Sequence, residues 1–283
     1  MHNGVYNYDI KKQKQNIPKG KIKMKKIISL ILALTLCVCA VFSLTSCGAK
    51  GKTLAEVKEA GKLVVATSPD FPPFEYLEDG KVVGIEVDIM ELVCKELDVE
   101  LEFVQIQFDS VLPGIKSGKY DCGMSGISVT PKRAKSVLFT DAYCLAAQCI
   151  VVKADSTISS KADLEGKKIS VQSGTTAEDY CLAEGYDVDS YEHNNEAKIA
   201  LTSGKVEAWV VDDLTAAEMC KGDATVKILD ENMTTEPYAF AFTFGSEDLV
   251  AEINKIIAGL VADGTVQAIF DKYEAPYTAP DKE

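Results

Sequence analysis

Twice along the chain a Gly-Lys pair opens a short β-rich run that ends in a polar, helix-starting loop. Gly61-Lys62 begins the run ending in Thr67-Ser68-Pro69-Asp70-Phe71, and Gly166-Lys167 begins the one ending in Gln172-Ser173-Gly174-Thr175-Thr176. The echo continues downstream, where Ser117-Gly118-Lys119 precedes the run reaching Ser125-Gly126 and Ser203-Gly204-Lys205 the run reaching Asp212. A chain with this order is constrained toward two similar halves, each sending two strand ends into polar loops. Ligands of parallel α/β sheets bind beyond the carboxyl ends of strands, so two such halves facing one another would make a cleft between lobes. Tripeptides this short also recur by chance, and the periodicity of the rest has to support the reading.

It does. Residues 63–66, 99–104, 168–171 and 208–211 read as strands between amphipathic segments, an alternation that argues for an α/β fold. In a helix over 85–97, Ile85, Ile89, Leu92, Val93 and Leu97 fall on one face and Glu86, Asp88, Glu91, Lys95 and Glu96 on the other. A second helix carries Val111, Leu112 and Ile115, with Asp109 as its expected N-cap, Pro113 in its first turn and Gly118 as its stop.

The N-terminus bears on where this fold operates. Lys19, Lys21, Lys23, Lys25 and Lys26 precede an apolar stretch over 27–44 broken only by Ser29, Thr35 and Ser43, which reads as a secretory signal. A single membrane anchor is the alternative, because a spanning helix needs roughly 20 apolar residues. The end of the apolar stretch separates the two. Leu44-Thr45-Ser46-Cys47-Gly48 resembles the lipobox of bacterial lipoproteins, in which the cysteine thiol takes the lipid. Residues 1–46 are therefore expected to be a signal peptide, and 47–52 a lipidated Cys47 with a short tether. Met24 begins a well-formed signal by itself, so 1–23 reads as an upstream extension.

Residues 1–46 hold eight lysines and one acid, so their removal takes a chain of 30 basic and 43 acidic residues to 22 and 42, a formal charge of −20. A surface that acidic repels phosphate backbones and anionic lipid, which excludes a nucleic-acid role and leaves membrane contact to the lipid anchor. About 235 residues remain, enough for two modest cores. Of nine cysteines, Cys94, Cys122, Cys144, Cys149, Cys181 and Cys220 stay available; they allow 15 pairings, none within a CxxC. Buried free thiols are the default. With His193 the only histidine left, no metal site and no cofactor is expected.

Chemistry concentrates in Gly123-Met124-Ser125-Gly126-Ile127-Ser128-Val129-Thr130-Pro131-Lys132-Arg133. It places backbone polar groups, hydroxyls and one guanidinium at the end of an expected strand, as half of a cradle for a small zwitterion. A planar guanidinium can hold a carboxylate through two parallel hydrogen bonds, which lysine cannot. On residue types alone, a turn followed by a solvated basic helix start fits as well.

A resemblance sharpens that choice. Gly84-Ile85-Glu86-Val87-Asp88-Ile89, followed by Val93, Cys94 and Leu97, resembles the signature of family 3 solute-binding proteins, the extracytoplasmic receptors of polar amino-acid ABC importers. The likeness runs from about Gly61 to Tyr273 and includes Phe71-Pro72-Pro73-Phe74-Glu75, 108–113, 128–133, Phe139-Thr140-Asp141 and the Ser173-Gly174-Thr175 turn. It implies a two-lobed periplasmic-binding-protein-like fold of type II, each lobe a mixed, mostly parallel sheet flanked by helices. Residues 53–147 and 238–283 would form lobe 1, and 148–237 lobe 2.

The resemblance also implies roles. Arg133 would grip the ligand α-carboxylate with the Ser128 amide, and Thr176 would add a second-lobe donor at a helix N-terminus, where anions are favoured. Asp212 would accept the α-ammonium group together with the Gly126 carbonyl, next to Ser125. Phe71 and Phe108 would sandwich the side chain, although as isolated phenylalanines both read as core. Ser68, Asp70 and Gln172 would select among ligands. Relatives for basic amino acids and glutamine often carry an acid where this chain has Ser68, so a polar uncharged or sulfur-containing side chain is expected. A cysteine pairing with Cys94 in some relatives is replaced by Leu101. The expected partners are an L-amino acid and the permease and ATPase subunits, for a lipid-anchored monomer outside the cytoplasm. The alternatives are an enzyme on the same fold, akin to cyclohexadienyl or arogenate dehydratase with Glu75 or Asp70 as its acid, and an amino-acid sensor without transport.

Overall fold

The computed structural model describes residues 49–280; the expected signal peptide and Cys47, the expected site of lipidation, lie outside the described residues. In chain order, α1 (Leu54–Ala60), β1 (Lys62–Thr67), β2 (Asp70–Phe71), β3 (Glu75–Glu78), β4 (Lys81–Val83), α2 (Ile85–Leu97), β5 (Glu100–Gln105), α3 (Phe108–Lys116), β6 (Cys122–Gly123) and β7 (Leu138–Phe139) lead into β8 (Cys144–Ala146) and β9 (Gln148–Lys153). Then come β10 (Lys168–Gln172), α4 (Thr176–Ala183), β11 (Asp187–Tyr191), α5 (Asn194–Ser203), β12 (Ala208–Asp212), α6 (Asp213–Met219) and β13 (Val226–Ile228). The chain closes with β14 (Glu236–Tyr238), β15 (Ala241–Phe242), α7 (Glu247–Ala262) and α8 (Thr265–Lys272).

Two five-stranded sheets result, ordered β5-β1-β6-β15-β7 and β11-β10-β12-β9-β13. The sequence echo becomes a topological one. In each sheet the first strand (β1 or β10) pairs in parallel with the next on one side (β5 or β11) and with the third on the other (β6 or β12). In each, the fourth place is taken by an antiparallel strand, β15 or β9. β8 and β14 pair with each other between the two sheets, Glu236 opposite Ala146 and Tyr238 opposite Cys144. Both sheets are mixed, with parallel pairs to one side and antiparallel pairs to the other.

Burial follows the strand pattern. Residues of β9 are buried on both faces, as a central strand demands, and Ile150, Val152, Ile169, Val171 and Val210 cluster on one side of the second sheet. Ala66, Val111, Ile115, Ile127 and Ala241 do the same under α3 in the first. The largest cluster links Phe74, Ile89, Phe240 and Phe270 with Trp209 and Val211, so apolar packing is continuous from one lobe to the other. All six cysteines of the described residues are free thiols, and only Cys220 is not fully buried.

Helix α3 corrects an expectation. It starts two residues early, with Gln107 in the N-cap position and Asp109 inside the first turn, so Pro113 lies mid-helix rather than near the start. Proline there has no N–H to donate to the Asp109 carbonyl one turn back, a loss that a nine-residue helix ending at Lys116 tolerates. Helix α2 keeps its expected span, and its start is anchored tightly. Its first amides, Ile85 N and Glu86 N, donate to Pro73 O at 2.9 Å and Phe74 O at 3.0 Å. Gly84, at φ +138°, makes this approach possible, because a Cβ there would stand 2.2 Å from Phe74 O. Among the described residues no helix is long and apolar enough to cross a membrane.

Candidate functional site

Strand ends and helix starts from the two lobes converge on one cleft, with about 290 Å³ of atom-free space, its solvent-open mouth included. From the first lobe it is walled by Asp70 and Phe71 of β2, Phe108 at the start of α3, Ser125, Gly126 and Ser128 after β6, and Arg133. From the second come Gln172 at the end of β10, Thr175 and Thr176 at the start of α4, and Asp212 at the end of β12. Ten of the eleven sequence-selected ligand residues thus stand around one space. Ser68 does not; it is buried at 1 % exposure and its Oγ donates to Asp70 Oδ1 at 2.9 Å. Thr175 was not singled out, and its N-cap geometry explains its place: its side chain accepts from Glu178 N at 3.1 Å at the cleft edge.

Arg133 is the only arginine in the sequence. Its Nη1 donates to Ser128 O at 2.9 Å and its Nη2 to Gly174 O at 3.1 Å, so one guanidinium spans both lobes. It lies over the Phe108 ring, 5.7 Å from the centroid. Ser128 Oγ and Thr176 Oγ1 meet at 3.4 Å, and Gln148 Nε2 donates to Thr176 Oγ1 at 3.2 Å. These donors, with the first amides of α4, form a positive corner suited to a carboxylate.

Asp212 also lines the cleft; it is 6 % exposed, and Tyr238 OH donates to its Oδ1. Burial, with the Glu236 charge adding to it, pushes its carboxyl up to about 7 despite the Tyr238 and Gln148 hydrogen bonds. Asp212 sits in the N-cap position of α6 without making a side-chain cap bond, and the capping falls to Asp213, whose Oδ1 accepts Leu214 N at 2.8 Å. A buried acid released from capping is a natural acceptor for a cation.

Asp70 behaves differently. Its Oδ2 accepts from Gln172 Nε2 at 3.2 Å and Asn194 N at 3.0 Å and lies 3.3 Å from His193 Nδ1, all three from the second lobe. The start of α5, whose own N-cap His193 makes no side-chain capping bond, is therefore capped from across the cleft. Lys132 Nζ to Asp179 at 2.8 Å and Gln107 Nε2 to Glu192 Oε2 at 2.6 Å add further contacts between the lobes. The lobes are closed on one another. His193 and Asn194 were not marked as site residues, and no signal within the sequence pairs them with Asp70, 123 and 124 positions away.

Phe71 stacks on Phe74 at 5.6 Å and lies 6.4 Å from Tyr238, so its ring forms part of the core and part of the cleft wall. Among the described residues no group of three or more histidine, cysteine or acidic side chains is placed to hold a metal ion.

Comparison with known proteins identifies the family and the fold. Residues 63–276 match the model of the bacterial extracellular solute-binding proteins, family 3. The arginine-binding protein 1 of an Escherichia coli ABC transporter is 32% identical over 222 residues, 76% of this chain and 91% of the relative. An ancestral arginine-binding protein, solved bound to glutamine, superposes with a TM-score of 0.72 at 38% identity, covering 76% of this chain and 99% of that one. An ancestral amino acid-binding protein described as a precursor of cyclohexadienyl dehydratase gives 0.74 at 34%, covering 78% and 99%. The chain belongs to the family 3 extracellular solute-binding proteins.

Proposed function

We propose that this family member is the amino-acid receptor of an ABC importer, closing its two lobes on the ligand and delivering it to a membrane permease. Lobe 1 takes residues 53–147 and 238–283 and lobe 2 takes 148–237, joined where β8 pairs with β14. The observation that carries the reading is the meeting of opposite charges in one small cleft. Arg133 and the first residue of α4 line it together with the buried Asp212, a pairing of a cation and an acid that complements a zwitterion. Arg133 and Thr176 hold the α-carboxylate with the Ser128 amide, while Asp212 and the Gly126 carbonyl take the α-ammonium. Ser125, Phe71, Phe108, Gln172 and Asp70 surround the side chain, and Ser68 acts behind Asp70. Second-lobe contacts form only on closure, and that difference drives the equilibrium toward the closed form.

A polar uncharged or sulfur-containing side chain fits Gln172 and the two rings. One observation favours a second reading of the ligand: the Asp70 carboxylate stands in the cleft wall and would meet a cationic side chain, as arginine would supply. Calorimetry with L-glutamine, L-cystine and L-arginine on the wild type and on Asp70→Asn separates the two, since only a cationic ligand loses affinity selectively when that charge is removed. A thermal-shift series with the twenty amino acids and cystine tests the function itself. A ligand at 100 times its Kd stabilises by about 2.7 kcal/mol, and no shift with any of them sinks the proposal.

The likeness to a dehydratase precursor motivates an enzymatic alternative. It requires an acid or base at the reacting atom. Glu75 is completely buried behind Ser125 and does not line the cleft, while the lining acid Asp70 is engaged by second-lobe donors. Turnover of prephenate or arogenate by the purified protein would reinstate the enzyme. Co-purification of permease subunits supports transport over sensing. The protein acts as a monomer held outside the cell by a lipid on Cys47; Cys47→Ala should abolish lipid labelling and leave ligand affinity unchanged, and labelling that persists rejects the anchor.

A further inference from the structure

Directly beneath the cleft floor two glutamates are buried together without a basic partner. Glu75 of β3 and Glu86 in the first turn of α2 are each at 0 % exposure. The way α2 starts, hydrogen-bonded to Pro73 and Phe74, brings Glu86 beside the residue after Phe74. Both carboxyls reach up to the turn that walls the cleft. Ser125 Oγ donates to Glu75 Oε1 at 2.9 Å and in turn accepts from Ser68 N at 3.1 Å. Gly126 N donates to Glu86 Oε2 at 3.0 Å, and Tyr143 OH to Glu86 Oε1 at 2.7 Å.

The two acids are not equivalent. Burial raises the Glu86 carboxyl too, but an amide, a phenol and a helix N-terminus oppose it by favouring the ionised form. Glu75 Oε2 has no donor among the described residues, an arrangement a carboxylate would not tolerate but a carboxylic acid satisfies by donating. The two side chains share a hydrogen bond, and burial followed by the Glu86 charge pushes the Glu75 carboxyl well above the ordinary range. None of the leading influences on either acid is a base; those on Glu75 besides Glu86 are Ser125 and Asp70, and those on Glu86 are Glu75, Tyr143 and the Gly126 amide.

We propose that Glu86 is the positioning residue of the first-lobe cradle and Glu75 its neutral donor, the pair fixing the Ser125–Gly126 turn and placing one buried negative charge under the ligand ammonium group. This rests on the amino-acid reading above. In the planar trans peptide joining Ser125 to Gly126 the N–H and C=O point in opposite directions, so fastening the Gly126 amide to Glu86 orients the whole turn. The single charge lies one residue below the cleft surface, where a low dielectric lets it favour a cation.

The test uses the full-length mature protein with the L-amino acid giving the largest thermal shift, L-arginine and L-glutamine being the first probes. Glu75→Gln copies the neutral acid, its amide donating to Glu86 and its oxygen accepting from Ser125, so affinity should stay within about twofold. Glu86→Gln loses the charge and cannot accept from all its donors, so affinity should fall at least about tenfold. Because Glu86→Gln could fail to fold, a second measurement stands on Glu75 alone. Infrared spectra at about pH 9, where Asp212 is ionised, should show a protonated carboxyl stretch in the wild type that Glu75→Gln removes. Equal affinity loss in the two variants, or absence of that band, overturns the assignment while leaving amino-acid binding intact. A wild type that binds no amino acid overturns the amino-acid reading and the cradle role with it.

Discussion

Removing the Arg133 guanidinium should cost more affinity than any other single change in the cleft. Ser128 O of its own lobe holds one end and the Phe108 ring lies against its face, so the fork is oriented before the lobes close, and Gly174 O of the second lobe takes the other end on closure. A carboxylate in the cleft would gain two charge-assisted bonds from it, each worth about 1.5–3 kcal/mol. Arg133 is only partly buried, which argues for the lower end. Arg133→Ala should then weaken binding by about 3 kcal/mol, roughly 150-fold, and Arg133→Lys by about 1.5 kcal/mol, roughly tenfold, since one bond survives. Titration calorimetry at fixed salt reads both. The same amino acid with its carboxylate converted to an amide completes a cycle: the amide should be penalised strongly by the wild type and by less than about twofold in Arg133→Ala. An alanine variant within about threefold of wild type, or an amide penalty equal in both proteins, would refute the carboxylate role.

Protonation of Asp212 gives a pH signature. Burial in the cleft holds its carboxyl at about 7, and an ammonium ligand needs it ionised, so binding at lower pH must expel a proton. Affinity should be level above pH 7 and fall by up to tenfold per unit below it, about a hundredfold or 2.7 kcal/mol between about pH 8 and pH 5. Asp212→Asn should flatten the profile and bind weakly throughout; a sloping profile in that variant would assign the proton elsewhere. Gly126→Ala should lose about 1–2 kcal/mol for its left-handed backbone, and more because its Cβ would stand 2.5 Å from Phe71 Cε1. The melting temperature should drop by several degrees and ligand affinity with it, and an unchanged melting temperature would contradict the packing described.

Much of this molecule was legible without coordinates, and the reason is local. Alternating strands and amphipathic helices are written in periods of two and 3.6, so β1, β10, β12 and α2 were placed nearly to the residue. Where the local signals competed, at α3, the acid favoured as a cap lost to an earlier start. Strand ends in such sheets point toward the binding edge, so choosing polar residues just after strands found most of the cleft wall.

The sequence by itself therefore determined the architecture, the family and most of the residues that line the cleft, because each depends on neighbours in the chain. Tertiary structure alone decided which distant groups complete one another. Ser68 and Asp70 are two residues apart, yet one is buried behind the other because β2 turns the second toward Gln172, His193 and Asn194. Glu75 and Glu86 read as ordinary solvated acids on a turn and on a polar helix face. Only folding removes them from water and presses them together, and the loss of hydration and the neighbouring charge push the Glu75 carboxyl well above its ordinary range.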